Sequence, residues 1–188
     1  DDIETVTYTI TATGPGPEFC AAPATQTYTV TVNPTVKQVI ANNAAVVCEG
    51  VVTDIAYSTP TENGTMSVQA SYPAGVTGSA DYSLLTALTA PGTISETLDN
   101  TNNTAQVVTY TFTTSANGCA DAVTVVSVTV NPTPAFTNLP AVATICSGAQ
   151  LNFTPVSDVS GTVFTWTSAI SANISGVTAT GSGAITHT

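Results

Sequence analysis

Hydrophobic and polar residues alternate along four stretches of this chain, at residues 6–11, 27–32, 107–113 and 123–130. Successive side chains of a β-strand point to opposite faces, so a period of two predicts strands that bury one face. No stretch shows a comparable helical stripe. The pattern predicts an all-β protein.

Turn-forming residues separate these stretches. Glycine and asparagine tolerate positive φ and proline fixes φ, which is why these residues mark the ends of strands. The turn signals are Gly14-Pro15-Gly16-Pro17, Asn63-Gly64, Pro73-Ala74-Gly75, Pro91-Gly92, Asn117-Gly118 and Gly181-Ser182-Gly183. Short strands with a turn about every ten residues predict immunoglobulin-like sandwiches of roughly 95 residues each.

The chain also repeats itself. Residues 6–35 and 108–133 share the strings VTYT and VTVNPT, and Val47-Cys48-Glu49-Gly50 returns 98 residues later as Ile145-Cys146-Ser147-Gly148. A repeat of roughly 90 to 100 residues has the size of one small domain. The sequence therefore predicts tandem β-sandwich domains.

The phase of the repeat predicts one complete and one split domain. Residues 36–133 form the complete domain, residues 1–35 are the C-terminal strands of a split domain, and residues 134–188 are the N-terminal strands of one. The complete domain would hold these fragments ~30 to 40 Å apart, at ~3.3 Å for each strand residue. We expect residues 1–35 of the next copy to complete residues 134–188, because an incomplete sandwich leaves an open edge. Either a covalent tandem polymer or strand exchange between subunits would achieve this.

Two Asn-Pro pairs end the repeated units. They are Asn33-Pro34 and Asn131-Pro132. Because proline cannot donate a hydrogen bond to a strand ladder, these pairs predict short, stiff linkers between domains.

The charge balance excludes several partners. The chain has one Lys, no Arg and twelve acidic residues, for a formal charge of −11. It cannot neutralise phosphates, so nucleic acid and anionic membranes are poor candidates as partners. No apolar stretch approaches the ~20 residues of a membrane span. A low density of charge with many hydroxyls favours an extracellular, cell-surface location.

Four cysteines, two for each unit, predict disulfides in an extracellular all-β module. One pairing joins Cys48 to Cys119 within the complete domain, and Cys146 to Cys20 of the following copy, each worth ~2 to 4 kcal/mol by loop closure. The alternative places the two cysteines of a domain at opposite ends of the sandwich, so that bonds join adjacent domains end to end. No CxxC motif or nearby histidine suggests a metal site.

Candidate chemistry is sparse. His187 is the only histidine and has no neighbour in the sequence for a triad or metal site, so the chain is not expected to be an enzyme or to need a cofactor. Asp1, Asp2 and Asp99 are weak candidates for calcium ligands, but their spacing matches no EF-hand loop. Trp166 has the setting of a core aromatic near Cys146, with a sugar-stacking role as the alternative.

The recurring motifs resemble a known family. They are Val47-Cys48-Glu49-Gly50 with its second copy, Gly92-Thr93-Ile94-Ser95, VTYT before the Asn117-Gly118-Cys119 turn, and the closing VTVNPTP. These are similar to the PKD-like, immunoglobulin-like repeats of large cell-surface adhesins and secreted proteins of gliding Bacteroidota-type bacteria, including proteins exported by the type IX route. The resemblance covers essentially the whole chain and implies stalks, spacers and adhesin shafts.

The expected function is therefore a structural repeat of an extracellular bacterial surface fibre or adhesin shaft, in adhesion or gliding motility. Its main expected partner is itself, head-to-tail along the fibre, with surface polysaccharide or other cells as further candidates. One alternative is a carbohydrate-binding or spacer module of a secreted hydrolase, which exposed aromatics on one face would support. Another is a pilus-like subunit that polymerises by strand exchange.

Overall fold

The protein is described by a computed structural model that covers residues 2–15, 25–138 and 143–187. All regular elements within these ranges are β-strands. In chain order, the strands are β1 Glu4–Ile10, β2 Gln26–Val32, β3 Val39–Asn42, β4 Val46–Cys48, β5 Ile55–Ser58, β6 Thr65–Ser71, β7 Val76–Gly78, β8 Thr86–Leu88, β9 Gly92–Ile94, β10 Leu98–Asn100, β11 Gln106–Ser115, β12 Ala122–Asn131, β13 Leu151–Phe153, β14 Thr165–Thr167, β15 Thr180–Ser182 and β16 Ile185–His187. The predicted all-β, immunoglobulin-like class is confirmed.

Residues 36–133, which we call the intact unit, contain two facing sheets. The larger has five strands in the order β4-β12-β11-β6-β8, and the smaller has three in the order β3-β5-β9. A separate pair joins β7 to β10. The pairing of β4 with β12 is parallel, whereas the other pairs are antiparallel.

The core of the intact unit lies between the two sheets. Alternate residues of β6 and β11 are buried, and for β11 the period of two at residues 107–113 predicts this. Ile55 and Ile94 from the smaller sheet are fully buried, and the rings of Tyr57 and Phe112 lie 6.0 Å apart across the two sheets. Aliphatic and aromatic packing between the sheets therefore holds the unit together.

The hairpin β11–β12 forms the centre of the larger sheet. Asn117 and Gly118 both have positive φ, at 54° and 72°, and the amide of Cys119 donates to the carbonyl of Ala116 at 3.0 Å. Asparagine and glycine are the residues that accept such φ values at least cost, so this turn signal predicted the connection correctly.

The chain enters and leaves the intact unit at opposite ends. At the entrance end, Gln38 bonds Thr114 and Thr124, which flank the turn of the β11–β12 hairpin. At the exit end, the amide of Glu49 donates to the carbonyl of Asn131, and the amide of Thr133 donates to the Glu49 carboxylate. The intact unit therefore has its N-terminal and C-terminal ends on opposite sides.

Three smaller sheets lie on either side of the intact unit in the sequence. The hairpin β1–β2 precedes it, and the pairs β13–β16 and β14–β15 follow it. The predicted boundaries of the split domain, at residues 35 and 134, stay a prediction.

Candidate docking site

The hairpin β1–β2 has the same strand register as the hairpin β11–β12. Tyr8 lies opposite Tyr28, at the positions that Tyr110 and Val126 occupy in the intact unit. The sequence repeat and the strand pairing therefore give the same equivalence between the two hairpins.

The apolar face of β1–β2 is exposed, although the same face of β11–β12 is buried. Three residues of β1 lie on this face, namely Val6, Tyr8 and Ile10, with exposed fractions of 44%, 54% and 56%. Their counterparts Val108, Tyr110 and Phe112 have exposed fractions of 0%. Burial of one aliphatic or aromatic side chain stabilises a protein by about 1.5 to 3 kcal/mol, so this face is a strong candidate for docking.

Residues 143–187, which we call the open half, form the counterpart of the first half of the intact unit. Phe153 lies opposite Ile185 as Ile55 lies opposite Ile94. Trp166 of β14 takes the position of Val68 in β6, and β15 pairs with β14 as β8 pairs with β6. The open half therefore contains the elements onto which a β11–β12 type of hairpin packs.

A groove of about 640 Å³ crosses the open half. Its walls include Ile145, Leu151, Trp166, Ile170, Ile185 and His187. Ile145 has an exposed fraction of 51%, whereas its counterpart Val47 in the intact unit has one of 6%. In the intact unit the β11–β12 hairpin covers the equivalent positions, since β6 pairs with β11 and β4 pairs with β12.

Comparison with protein families decides what the two units are. The family model described as PKD-like domain matches residues 45–134 and, a second time, residues 143–188. The chain belongs to the PKD-like domain family. A search of curated proteins found no match. PKD-like domains are commonly extracellular, typically non-catalytic immunoglobulin-like modules, and the second match falls on the open half.

The intact PKD-like unit buries one carboxylate, that of Glu96, with an exposed fraction of 1%. The hydroxyl of Tyr110 donates to its Oε1 atom at 2.5 Å, and the hydroxyl of Tyr72 donates to the same atom at 2.9 Å. The amide of Glu96 donates to the hydroxyl of Thr53 at 3.0 Å. A buried carboxylate is tolerated only when hydrogen bonds replace its hydration, and these two tyrosines supply them.

Burial raises the pKa of Tyr110 far above its usual range, and the neighbouring Glu96 raises the pKa further. The same two causes, with burial again the larger, raise the pKa of Tyr72, while a bond from the amide of Tyr82 opposes them. Both hydroxyls are therefore held as neutral donors. The sequence patterns above did not identify Glu96 as a functional residue. The feature that could have done so is its acidic side chain, two residues after the repeated Gly-x-Ile motif.

His187 occupies the position of Glu96 in the second PKD-like unit. Residues 183–187 read GAITH where residues 92–96 read GTISE, and β16 pairs with β13 as β9 pairs with β5. The rings of His187 and Trp166 meet edge to face with centroids 5.5 Å apart. The Nε2 atom of His187 and the Nε1 atom of Trp166 are buried and have no hydrogen-bond partner among the described residues. Trp166 is half-buried in the wall of the groove that Cys146 also lines, and its expected place in a core between two sheets stays a prediction.

The structure does not bring Cys48 and Cys119 together. Cys48 lies opposite Asn131 at the exit end, and Cys119 lies in the turn at the entrance end. The ten residues of β12 separate these positions, which corresponds to roughly 30 Å, whereas a disulfide requires Cα atoms within about 7 Å. Among the described residues, Cys48, Cys119 and Cys146 form no disulfide in the structure, and Cys20 lies outside the described residues.

The structure gives no support to the candidate calcium ligands. Asp1 lies outside the described residues, and in the described part of the chain no three His, Cys, Asp or Glu side chains come together as metal ligands, Asp2 and Asp99 included. Asp99 lies beside Glu49, whose carboxylate raises the pKa of Asp99. None of the described residues belongs to a helix long and apolar enough to cross a bilayer.

The linker asparagines lie at the ends of the units. Asn33 donates from Nδ2 to the carbonyl of Asn117 at 2.9 Å, so the end of β2 contacts the turn that carries Cys119. Asn131 ends β12 and accepts from the amide of Glu49. The stiffness that Pro34 and Pro132 would give to these linkers stays a prediction.

Proposed function

We propose that this chain is a structural repeat of an extracellular bacterial surface fibre or adhesin shaft that serves adhesion or gliding motility. One observation carries the proposal: the apolar residues exposed on β1 have counterparts that are fully buried in the intact unit. A second copy of the chain offers a groove with the matching first half of the fold. The hairpin of one copy therefore completes the open half of another.

The direction of the chain supports a linear polymer. The hairpin β1–β2 precedes the entrance end of the intact unit, and the open half follows its exit end. A contact between two different surfaces of identical copies is heterologous, and repeats without limit unless the copies close into a ring. Copies joined in this way form a fibre in which intact and completed PKD-like units alternate.

The position of the thiols favours disulfides between successive domains, the end-to-end alternative. In the intact unit Cys48 lies opposite Asn131. The equivalent pair in a completed unit is Cys146 opposite Asn33, and Asn33 contacts the turn that contains Cys119. Docking of the hairpin thus brings Cys146 of one copy toward Cys119 of the next. This leaves Cys48 to pair with Cys20, which lies outside the described residues.

The carbohydrate-binding alternative gains no support from the intact unit. Its exposed large hydrophobic residues are all valine or leucine. Among the described residues, the exposed aromatic side chains are Tyr8, Tyr28 and Phe136. Tyr8 and Tyr28 lie on the hairpin face that docking buries, and the ring of Phe136 packs against that of Phe164 with centroids 5.5 Å apart. A sugar-stacking platform needs an aromatic face that stays accessible, so the docking role is the better explanation.

Electron microscopy and sedimentation of the purified 188-residue chain test the proposal. We expect filaments with an axial repeat of roughly 80 Å for each pair of units, because a ten-residue strand spans about 33 Å and turns extend each unit. A chain that stays monomeric at high concentration would contradict the proposal. Antibodies against the chain should label intact cells.

A boiled sample of the native material on a denaturing gel distinguishes the two kinds of polymer. Mass far above 18.9 kDa under reducing conditions indicates a covalent tandem protein. A band near 19 kDa indicates separate subunits that exchange strands. High mass only without reductant indicates disulfides between subunits.

A further inference from the structure

We propose that the hydroxyl of Tyr8 in one copy donates a hydrogen bond to Nε2 of His187 in a second copy. This inference rests on the proposed function, because it specifies which polar contact fixes the docked hairpin. It starts from the unpartnered Nε2 atom of His187, which is buried in the groove wall. A buried polar atom without a partner costs about 1 to 3 kcal/mol, so a ligand that supplies a donor at this point gains affinity.

The intact unit shows which donor reaches this position. Glu96 stands where His187 stands, and it accepts from the hydroxyl of Tyr110. Tyr110 of β11 corresponds to Tyr8 of β1 in both sequence and strand register. A hairpin that docks in the register of β11–β12 therefore brings the Tyr8 hydroxyl to the second copy's His187.

The strand edges fix the register independently of this polar contact. In the intact unit Phe112 pairs with Val68 and Tyr110 pairs with Ala70. The corresponding pairs on docking are Ile10 with Trp166 and Tyr8 with Ser168. A slip by one residue would turn Tyr8 and Ile10 away from the groove, since side chains alternate between faces. The edge-to-face contact of Trp166 with His187 orients the imidazole before docking.

The partner of this surface is a second copy of the chain and not an unrelated peptide. The groove requires an apolar strand that carries one phenol at a set position, and β1 presents this pattern on an exposed face. The difference between the acid in one unit and the imidazole in the other also distinguishes the two units.

Self-association of the full chain, measured by sedimentation over a dilution series with reductant present, tests this proposal. Wild type should associate, and Ile10→Asp should remain monomeric at the same concentrations. If wild type stays monomeric, or if Ile10→Asp associates as wild type does, hairpin docking itself is wrong, and the Tyr8 contact falls with it.

The hydroxyl is then tested by itself. Tyr8→Phe should weaken association about tenfold, because Nε2 of His187 is left buried without a donor. Tyr28→Phe is the matched control, because it removes a phenolic hydroxyl from the same face of the hairpin. The position of Tyr28 has no polar counterpart in the intact unit, so we expect less than a twofold change in association. Equal losses in both variants, with Ile10→Asp still monomeric, would overturn the hydrogen bond and leave hairpin docking standing.

A double-mutant cycle completes the test. In a His187→Leu background, Tyr8→Phe should cause no further loss, because its partner is already absent. His187→Glu restores the acid found in the intact unit, and its association should again depend on the Tyr8 hydroxyl. Losses that simply add in the cycle would show that the two side chains do not meet.

Discussion

At the scale of single residues, Glu96 is the one acidic side chain that the intact unit buries. It is buried, and two tyrosine hydroxyls complete its hydrogen bonding. The free energy of unfolding should therefore respond strongly to changes around this carboxylate.

Alkaline pH should destabilise the intact unit through Tyr110. Burial raises the pKa of this residue in the folded state above its usual 10.0. Between pH 10 and the raised value, the unfolded chain binds fewer protons than the folded chain, so the free energy of unfolding falls as pH rises, by about 1.4 kcal/mol for each pH unit per tyrosine. Below pH 10 this group contributes no slope. Denaturant titrations between about pH 9 and 11 measure the slope, and Tyr110→Phe should reduce it. An unchanged slope in that variant would contradict the assignment.

Gly78→Ala should destabilise the intact unit by about 1 to 3 kcal/mol through overpacking. A Cβ atom at this position would overlap the Glu96 carboxylate and lie 2.8 Å from the hydroxyl of Tyr72. Thermal denaturation of the full chain measures the loss. If the overlap is the cause, a second change, Glu96→Ala, removes the overlapping group. The double variant should then lose less stability than the sum of the losses in the two single variants. Strict additivity would assign the effect to the backbone instead.

At the scale of elements, substitutions in the β1–β2 hairpin should affect docking without affecting the stability of the intact unit. Ile10→Asp places a charge on the apolar face, whereas Thr9→Asp places the same charge on the opposite face of the same strand. We expect the first change to abolish filaments and the second to leave them intact. Neither should shift the melting temperature of the intact unit, because the apolar face of the hairpin is exposed. Equal effects on filaments would mean that charge, and not the face of the hairpin, controls assembly.

The strands themselves could be predicted well from the sequence. The alternation at residues 107–113 and 123–130 and the Asn117-Gly118 turn specify the β11–β12 hairpin, because a period of two and two positive φ values leave few alternatives. The disulfide pairing could not be predicted, since sequence separation gives no distance in space. Cys48 and Cys119 lie at opposite ends because β4 pairs in parallel with the far end of β12, and that pairing has no local signal.

The polar site was equally hidden in the sequence. His187 looked isolated because its expected partner, Tyr8, lies at the other end of the chain and has Tyr110 as its counterpart. Only the burial of Glu96 in the folded unit shows that this position holds a hydrogen-bond acceptor.

At the scale of the whole molecule, the positions of the cysteines predict how copies cross-link. Under oxidising conditions we expect the bonds Cys119–Cys146 and Cys48–Cys20 between successive domains, and no Cys48–Cys119 bond. Each bond forms when two thiols give up two protons and two electrons to a disulfide of an oxidase, which is itself reduced to two thiols. Mass spectrometry of unreduced peptides maps the bonds, and Cys119→Ser should leave Cys146 free. Finding Cys48 bonded to Cys119 would contradict the sandwich geometry described above.

The parallel pairing of β4 with β12 also determines how a fibre would carry load. In this pair Val46 lies opposite Thr129, Val47 opposite Val130 and Cys48 opposite Asn131. Tension enters the unit ahead of β4 and leaves it after β12, so a pulling force slides these two strands past each other lengthwise. All the backbone hydrogen bonds between the two strands then resist the force together. Strands pulled apart from one end would instead lose these bonds one at a time. A tether built from this unit fails in shear.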